Sequence, residues 1–222
     1  MKPFLTREFI TDALAASIRD PRQRALYDLC FMHRGHYKDE IIADKLRLIA
    51  RLYQDPLQSP EYAAHRLARS AVDHWFGSLA TAEELEASLL LEAHKRVMDL
   101  FADQGEERSR SLASKYLHFH FPELFYVYDP EVERLAREIV GGDCGFLSLA
   151  EFDPAYGRFH ACCRKLAERL IPEVGRRLSP RELDRVLRAW MDSVGCDEPA
   201  NRISGDAIRT SPHPTHSTQA YS

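Results

Sequence analysis

The chain has 222 residues, of which 45% are hydrophobic and 29% are charged, and its formal net charge is −4 at pH 7. This composition is typical of a globular protein with a core of ordinary size and excludes a fibrous or wholly disordered chain. No run of about 18 apolar residues is present, and the first residues, MKPFLTREF, lack the pattern of a secretory signal peptide. We therefore expect a cytosolic protein that does not enter a membrane. The acidic charge argues against bulk attraction to nucleic acid but is compatible with a local basic face.

The cysteines indicate packing rather than crosslinking. Their number is odd, and no two of them form a CxxC pair, so we predict reduced thiols in a reducing compartment. No structural zinc site, no other metal site and no cofactor site is predicted. The five cysteines are Cys30, Cys144, Cys162, Cys163 and Cys196.

Apolar residues recur along the chain with the period of an α-helix and not with that of a strand, which predicts an all-α fold. Thr81 and Glu84 form a capping-box pattern that predicts a helix start. The first two clear apolar stripes are Ile42, Leu46, Ile49 and Tyr53, and Leu90, Ala93, Val97, Leu100 and Phe101.

Three further helix starts are predicted in the second half of the chain. Asp129 with Pro130 and Asp153 with Pro154 are N-cap signals, and Ser179 with Glu182 forms a second capping box around Pro180. The corresponding ends are predicted at Gly141 and Gly142, before Pro172, and at Gly195.

The segment from Ser111 to Val140, SLASKYLHFHFPELFYVYDPEVERLAREIV, carries the strongest functional signal. A helix from Ser111 to Phe121 would be apolar on two opposite faces and therefore buried. Lys115 would lie at the border of one apolar face, where partial desolvation disfavours its ammonium form and favours a nucleophilic amine. Alternatively, the aliphatic stem of Lys115 could lie along the apolar surface and carry the ammonium to solvent.

After this helix, Pro122 begins an extended connection, or one short strand, that leads to Asp129. Its aromatic residues, Phe125, Tyr126 and Tyr128, are more typical of a core than of a base-stacking platform. Asp129 is a strong N-cap on sequence alone. A carboxylate held in that position is also rigid and ionised, so the structural role and a catalytic role are compatible. We expect the helix of Lys115 to pack against the helix of Asp129, with both groups facing one cavity.

The segment SLASKYLHFHFPELFYVYDPEVERLA resembles the catalytic stretch of helix-hairpin-helix DNA glycosylases, in particular divergent 8-oxoguanine DNA glycosylase-like proteins, some of which accompany bacterial anti-phage systems. In this resemblance Lys115 matches the Schiff-base lysine and Asp129 the catalytic aspartate. Val132, Arg134 and Ala136 match the helix that follows.

The resemblance implies a two-lobed helical domain over residues 1–195, with residues 196–222 predicted to be a disordered tail. It also implies that Lys115 attacks C1′ of a nucleotide whose base is flipped out of a DNA duplex, while Asp129 deprotonates the amine or stabilises the sugar cation. The expected partners are DNA or a modified nucleobase or nucleotide, and a protein of a defence system. Within the segment, Tyr116, His118 and Arg134 are candidate contacts to the base or nucleic acid.

The stretch before Ser111, ADQGEERSRS, holds one glycine, Gly105, where the family has a glycine-rich hairpin that clamps a phosphate. A protein without that hairpin needs other phosphate contacts, and the last third of the chain is rich in arginine. The candidates for nucleic-acid contact are Arg176, Arg177, Arg181, Arg185 and Arg188. Alternatively, these arginines belong to a solvated surface on which basic and acidic residues alternate.

Two other functions remain open at this point. One is a non-catalytic module that binds a modified nucleobase or a partner protein. The other is a ribonuclease of the HEPN type, because Arg69 and His74 have the spacing of its catalytic motif. His118 and His120 would point about 200° apart on a helix, which argues against a metal site.

Overall fold

The computed structural model describes residues 5–16, 21–55, 57–81, 86–142, 144–145 and 152–195. Across these residues the regular structure is helical and no strand is present, which confirms the predicted all-α fold. Residues 196–222, predicted to be a disordered tail, lie outside the described residues. Among the described helices, none is long and apolar enough to cross a membrane. The helices are α1 (Arg7–Ala15), α2 (Pro21–Met32), α3 (Asp39–Leu52), α4 (Pro60–Ala68), α5 (Val72–Thr81), α6 (Ala87–Leu100), α7 (Glu106–His120), α8 (Pro130–Val140), α9 (Pro154–Arg169), α10 (Ile171–Val174) and α11 (Pro180–Gly195).

The three helix starts predicted in the second half of the chain are confirmed. The Asp129 carboxylate accepts a hydrogen bond from the backbone N–H of Glu131 at 2.8 Å and caps α8. Asp153 caps α9 in the same way. At the start of α11, Ser179 N–H donates to the Glu182 carboxylate at 3.0 Å, and Glu182 N–H donates to the Ser179 hydroxyl at 3.4 Å.

The helix start predicted at Thr81 is wrong. Thr81 is the last residue of α5, and its hydroxyl donates to the backbone carbonyl of Gly77 at 3.0 Å. Helix α6 begins at Ala87, and Glu84 lies outside the described residues. A threonine hydroxyl can bond an i−4 carbonyl within a helix as readily as it can cap the next one. The local pattern therefore did not distinguish an end from a start.

Two hydrophobic cores organise the chain. The first core is built from α2 to α7 and includes Leu26, Leu46 and Phe101, each fully buried. The second core is built from α8, α9 and α11, and it also receives Ile10 and Ala13 of α1. Helix α1 thus packs on α11 and α10, far from its neighbours in sequence.

Polar contacts of buried side chains link the two cores. The imidazole of His94, on α6, stacks on the ring of Tyr156, on α9, with 3.6 Å between ring centres. Its Nε2 donates to the Arg110 carbonyl at 3.1 Å. The guanidinium of Arg110, on α7, in turn holds the carboxylate of Asp153 at the start of α9. Helix α7 is therefore tied directly to the second core.

The prediction of reduced cysteines is wrong for one pair. Cys144 and Cys162 form a disulfide with 5.0 Å between their Cα atoms. Cys30 and Cys163 are free and buried, as predicted, and Cys196 lies outside the described residues. The two bonded residues are 18 positions apart and meet because the chain returns along α9 after α8 has ended. This proximity is tertiary, so the spacing of cysteines does not reveal it.

Candidate active site around Lys115

Helix α7, which carries Lys115, is buried on both faces, as its apolar pattern predicts. Leu112, Tyr116 and Phe119 on one side and Leu117 on the other are each at most 3% exposed. The helix begins at Glu106, five residues before the predicted start at Ser111, so its first turn is polar and the rest is enclosed.

Lys115 is 5% exposed, and its ammonium is enclosed by groups from α3 and the residues after it. Its Nζ lies 4.4 Å from the centre of the Tyr53 ring and 3.9 Å from Oδ2 of Asp55. The stem therefore does not carry the charge to solvent, and the alternative of a solvent-exposed ammonium is excluded.

Burial lowers the pKa of the Lys115 ammonium. The negative charges of Asp55 and Asp129 act in the opposite direction, and the positive charge of Arg188 reinforces the lowering. The net result is a lowered pKa for Lys115, as predicted from its position beside an apolar face. A lowered pKa increases the fraction of neutral amine, which is the nucleophilic form.

Asp129 reaches this site through the extended connection rather than through a helix pair. The Tyr128 N–H donates to the Ser114 hydroxyl at 2.9 Å, and the Ser111 hydroxyl donates to the Tyr128 carbonyl at 3.4 Å. These bonds fix the connection against α7 beside Lys115, and Asp129 follows immediately. Helix α8 itself packs on α9, whereas α7 packs chiefly on α6 and α2, so the predicted packing of α7 against α8 is wrong.

Sequence analysis missed several residues around Lys115 because they come from distant segments. From α11, the Arg188 guanidinium lies 5.1 Å from the centre of the Tyr53 ring and is bonded to both oxygens of Asp184. In the sequence, Tyr53 is predicted only as part of an apolar stripe and Arg188 only as a contact to nucleic acid, and Asp55 is not identified. The available signal was the spacing of Arg181, Arg185 and Arg188, which lie on one face of α11.

Tyr116 and His118 have core positions. Tyr116 is fully buried in the first core. His118 is 1% exposed; its Nδ1 donates to the Phe125 carbonyl at 2.7 Å, and its Nε2 accepts from the Tyr27 hydroxyl at 2.8 Å. The structure gives both side chains a structural role, in place of the base contact predicted for them.

Arg134 and Arg69, two further residues singled out in the sequence, lie on the surface. Arg134 is exposed on α8 and pairs with Glu138 at 2.9 Å. Arg69, of the ribonuclease-like pair, contacts His65 and lies 3.6 Å from Asp39, at the end of α4. These contacts direct its guanidinium toward α3.

Helices α6 and α7 form a packed helical hairpin, but its turn differs from a phosphate clamp. The turn consists of a short 3-10 helix, Ala102–Gln104, and Gly105, which has φ +85°. The first turn of α7 then carries Glu106 and Glu107. Two carboxylates at a helix N-terminus oppose a phosphate there, although the helix dipole alone would favour one.

A second polar cluster, also missed by sequence analysis, lies inside the first core. Lys45 is fully buried and donates to the Nε2 atom of His120 at 3.0 Å. His36 donates through Nδ1 to Asp73 at 2.5 Å. Within the described residues, no group of histidine, cysteine and carboxylate side chains has an arrangement that could hold a metal ion.

Comparison with known protein families, curated proteins and solved structures finds no match to this chain.

Proposed function

We propose that this protein is a DNA N-glycosylase of the helix-hairpin-helix type that acts through a Schiff base on Lys115, with Asp129 as its electrostatic or acid–base partner. The observation that supports it most is the site of Lys115, a buried amine with a lowered pKa that lies 3.9 Å from Asp55 and feels the negative charge of Asp129. The resemblance of residues 111–136 to the catalytic stretch of these enzymes names the same lysine and aspartate. The two cores fit the two lobes that the resemblance implies.

The chemistry follows from the positions of these groups. The neutral amine of Lys115 attacks C1′, and the bond from C1′ to the base nitrogen breaks with its electron pair leaving on the base, which takes up a proton from water. The attached amine passes one proton to a neighbouring carboxylate, which returns it to O4′ as the bond from C1′ to O4′ breaks, and the opened sugar is held as an iminium ion on Lys115. The Asp129 carboxylate stabilises the positive charge that develops on the sugar.

By the same resemblance, the base is a modified purine such as 8-oxoguanine, and the setting is repair or anti-phage defence. Because the base must be extruded from the stack to reach a buried amine, base flipping is part of this proposal. No cofactor is required for this chemistry.

Borohydride trapping against a panel of duplexes with damaged bases tests the proposal. Borohydride delivers hydride to the iminium carbon and leaves a stable secondary amine, so a covalent protein–DNA complex is expected with the native chain. Lys115→Gln should abolish it. Lys95→Gln is the matched control, because Lys95 pairs with Asp99 on the partly exposed face of α6 and should leave trapping unchanged.

Asp129→Asn separates the catalytic role of the carboxylate from its structural one. Asparagine caps a helix about as well as aspartate does, so α8 should be preserved while the charge is lost. We expect trapping to fall at least tenfold with little change in melting temperature. Trapping that is unchanged in Asp129→Asn would reduce Asp129 to a helix cap, and an absence of trapping on every duplex would refute the glycosylase.

The acidic first turn of α7 favours a second candidate, a module that binds a modified nucleobase or a partner protein without turnover. Glu106 and Glu107 occupy the place where an active glycosylase would hold a phosphate. Binding of a modified base that depends on Lys115 and is never trapped by borohydride would support this candidate over the first.

A further inference from the structure

A basic cleft separate from the Lys115 ammonium opens where the connection after α7 meets α9 and α11. It encloses about 660 Å³. The side of the first core contributes Leu124, and the second core contributes Tyr126 and His160. We call this cavity the arginine cleft after the five arginines that line it: Arg164, Arg176, Arg177, Arg181 and Arg185.

The arginines of the cleft differ in how they are neutralised. Arg176 makes two bonds to the Glu182 carboxylate, at 2.5 and 2.7 Å, and Arg177 bonds Glu168 at 2.8 Å. Within the described part of the chain, no carboxylate pairs with Arg181 or Arg185. Two carboxylates, Glu123 and Glu182, also line the cleft, and against its five arginines they leave a formal excess of positive charge.

Arg181 also has an unsatisfied donor. Its guanidinium stacks over the Tyr27 ring at 4.4 Å, and its Nε is buried without an acceptor among the described residues. A buried N–H of a charged group without an acceptor is unfavourable, because it has lost its hydrogen bond to water and has no hydrogen bond within the protein to replace it.

The wall of the cleft carries a titratable group that responds to the charges around it. His160 is 4% exposed, and its pKa is lowered to about 4, first by burial and then by the charges of Arg164 and Arg177. An anion placed between these arginines would oppose their effect and raise the pKa of His160. The imidazole is therefore an internal reporter of anion binding.

We propose that the arginine cleft binds a phosphate group, carried either by a nucleic-acid strand or by a free nucleotide. Several guanidinium groups that converge on one cavity match the multiple oxygens of a phosphate, each of which accepts from the planar N–H fork. The stacking of Arg181 on Tyr27 fixes the direction of one fork and so lowers the entropy lost on binding.

Helix α11 contributes residues both to the arginine cleft and to the surroundings of Lys115. If the phosphate belongs to a nucleic-acid strand, α11 therefore gives the direction in which the strand would run. Arg181, Arg185 and Arg188 follow one another on one face, and Arg188 lies beside Tyr53 next to Lys115. From Arg181 to Arg188 the helix rises about 10 Å, which is about three stacked nucleotides. This step rests on the proposed function: a strand held in the cleft would reach Lys115 about three nucleotides away.

Titration of the full chain with sodium pyrophosphate, a nucleoside monophosphate and a single-stranded oligonucleotide tests the proposal. Binding is read by calorimetry and by the NMR-detected pKa of His160, which should rise when a phosphate occupies the cleft. The double variant Arg181→Gln/Arg185→Gln should bind at least tenfold more weakly. Arg96→Gln/Arg137→Gln is the matched control, because these two arginines lie on α6 and α8, outside the cleft, and each is paired with a glutamate four residues before it, so the variant should bind as the native chain does.

The probes also distinguish the source of the phosphate. Tightest binding of the oligonucleotide, with a salt slope that falls by about two units in the double variant, identifies a nucleic-acid strand. Tightest binding of the monophosphate or of pyrophosphate identifies a free phosphate compound. Absence of binding by all three probes, or equal binding by the double variant, overturns the proposal.

Two further measurements test phosphate binding separately from the folding of the double variant and from the glycosylase chemistry. If the double variant unfolds, the native chain still tests the proposal. A pKa of His160 that neither pyrophosphate nor the oligonucleotide changes overturns it. Lys115→Gln should retain phosphate binding in the cleft while it loses borohydride trapping. A cleft that binds phosphate in a protein that is never trapped would leave this inference intact and refute only the catalytic function.

Discussion

The ion pair between Arg110 and Asp153 should be the most costly polar contact to break among those that join the two cores. Nε of Arg110 donates to Oδ1 of Asp153 at 2.7 Å, and its Nη2 donates to Oδ2 at 2.9 Å. Arg110 is 7% exposed and Asp153 is 4% exposed. Removing the charge of Asp153 would leave a buried guanidinium without its counter-charge.

Asp153→Asn isolates this effect, because asparagine retains the N-cap of α9. Loss of one partner of a buried ion pair costs about 3–5 kcal/mol. We expect the lower end, about 3 kcal/mol, because the asparagine oxygen still accepts one hydrogen bond. For a domain of this size, that corresponds to a melting temperature lower by roughly 6–12 °C.

The assay is urea unfolding of the native chain and of Asp153→Asn, with Asp129→Asn as the control. Asp129 caps α8 through the same kind of aspartate–proline pair but is only half-buried, and its substitution should change the free energy of unfolding by less than about 0.5 kcal/mol. A double-mutant cycle with Arg110→Met assigns the energy to the pair.

The difference between the native chain and Asp153→Asn should also depend on pH. Burial by itself raises the pKa of Asp153, but the hydrogen bonds and charge of Arg110 and the Tyr156 N–H outweigh it, so the folded pKa is lowered. A carboxylate with a lowered pKa stabilises the fold fully above its unfolded pKa of about 3.9. The difference should therefore narrow as the pH falls below about 4. Equal losses for Asp153→Asn and Asp129→Asn at pH 7 would refute this reasoning.

Two further predictions concern stability. Cys144→Ser should lower the free energy of unfolding under oxidising conditions by about 3 kcal/mol, the entropic effect of opening a loop of this length; urea unfolding with and without reductant checks it, and a native chain indifferent to reductant would contradict it. Gly141→Ala should destabilise the chain by about 1 kcal/mol, because Gly141 ends α8 at φ +75°. Gly77→Ala in the exposed interior of α5, with no neighbour within 4 Å of the added Cβ, should instead stabilise it by about 0.5–1 kcal/mol; thermal melts of the two variants should shift in opposite directions.

The sequence predicted the features of the fold that depend on local physics. Helix periodicity and aspartate or serine caps act within one or two turns, so the starts at Asp129, Asp153 and Ser179 were correct. The error at Thr81 has the same origin, since a hydroxyl serves the end of one helix or the start of the next with the same chemistry. The role of Thr81 depends on where α5 ends, and α5 extends through Thr81.

The site could be predicted only in part for a related reason. The position of Lys115 beside an apolar stripe indicated burial, and Asp129 was recognised as a cap. Three groups complete the site. Tyr53 and Asp55 follow the end of α3, Arg188 lies on α11, and each is more than 50 residues away from Lys115 in sequence. Their meeting depends on how the two cores dock, which no local pattern encodes.

The arrangement of the two cores has a consequence for how the chain folds during synthesis. The buried residues of the first core lie between Leu26 and Phe125 in one continuous stretch, so this core can form as soon as that stretch has left the ribosome. The second core cannot do so, because α1 packs on α11, the last of the described helices. At 5–20 residues per second, α11 is finished about 4–14 s after Phe125. For that interval the apolar face of α1, with Ile10 and Ala13, has no partner, and a chaperone or the first core must shield it.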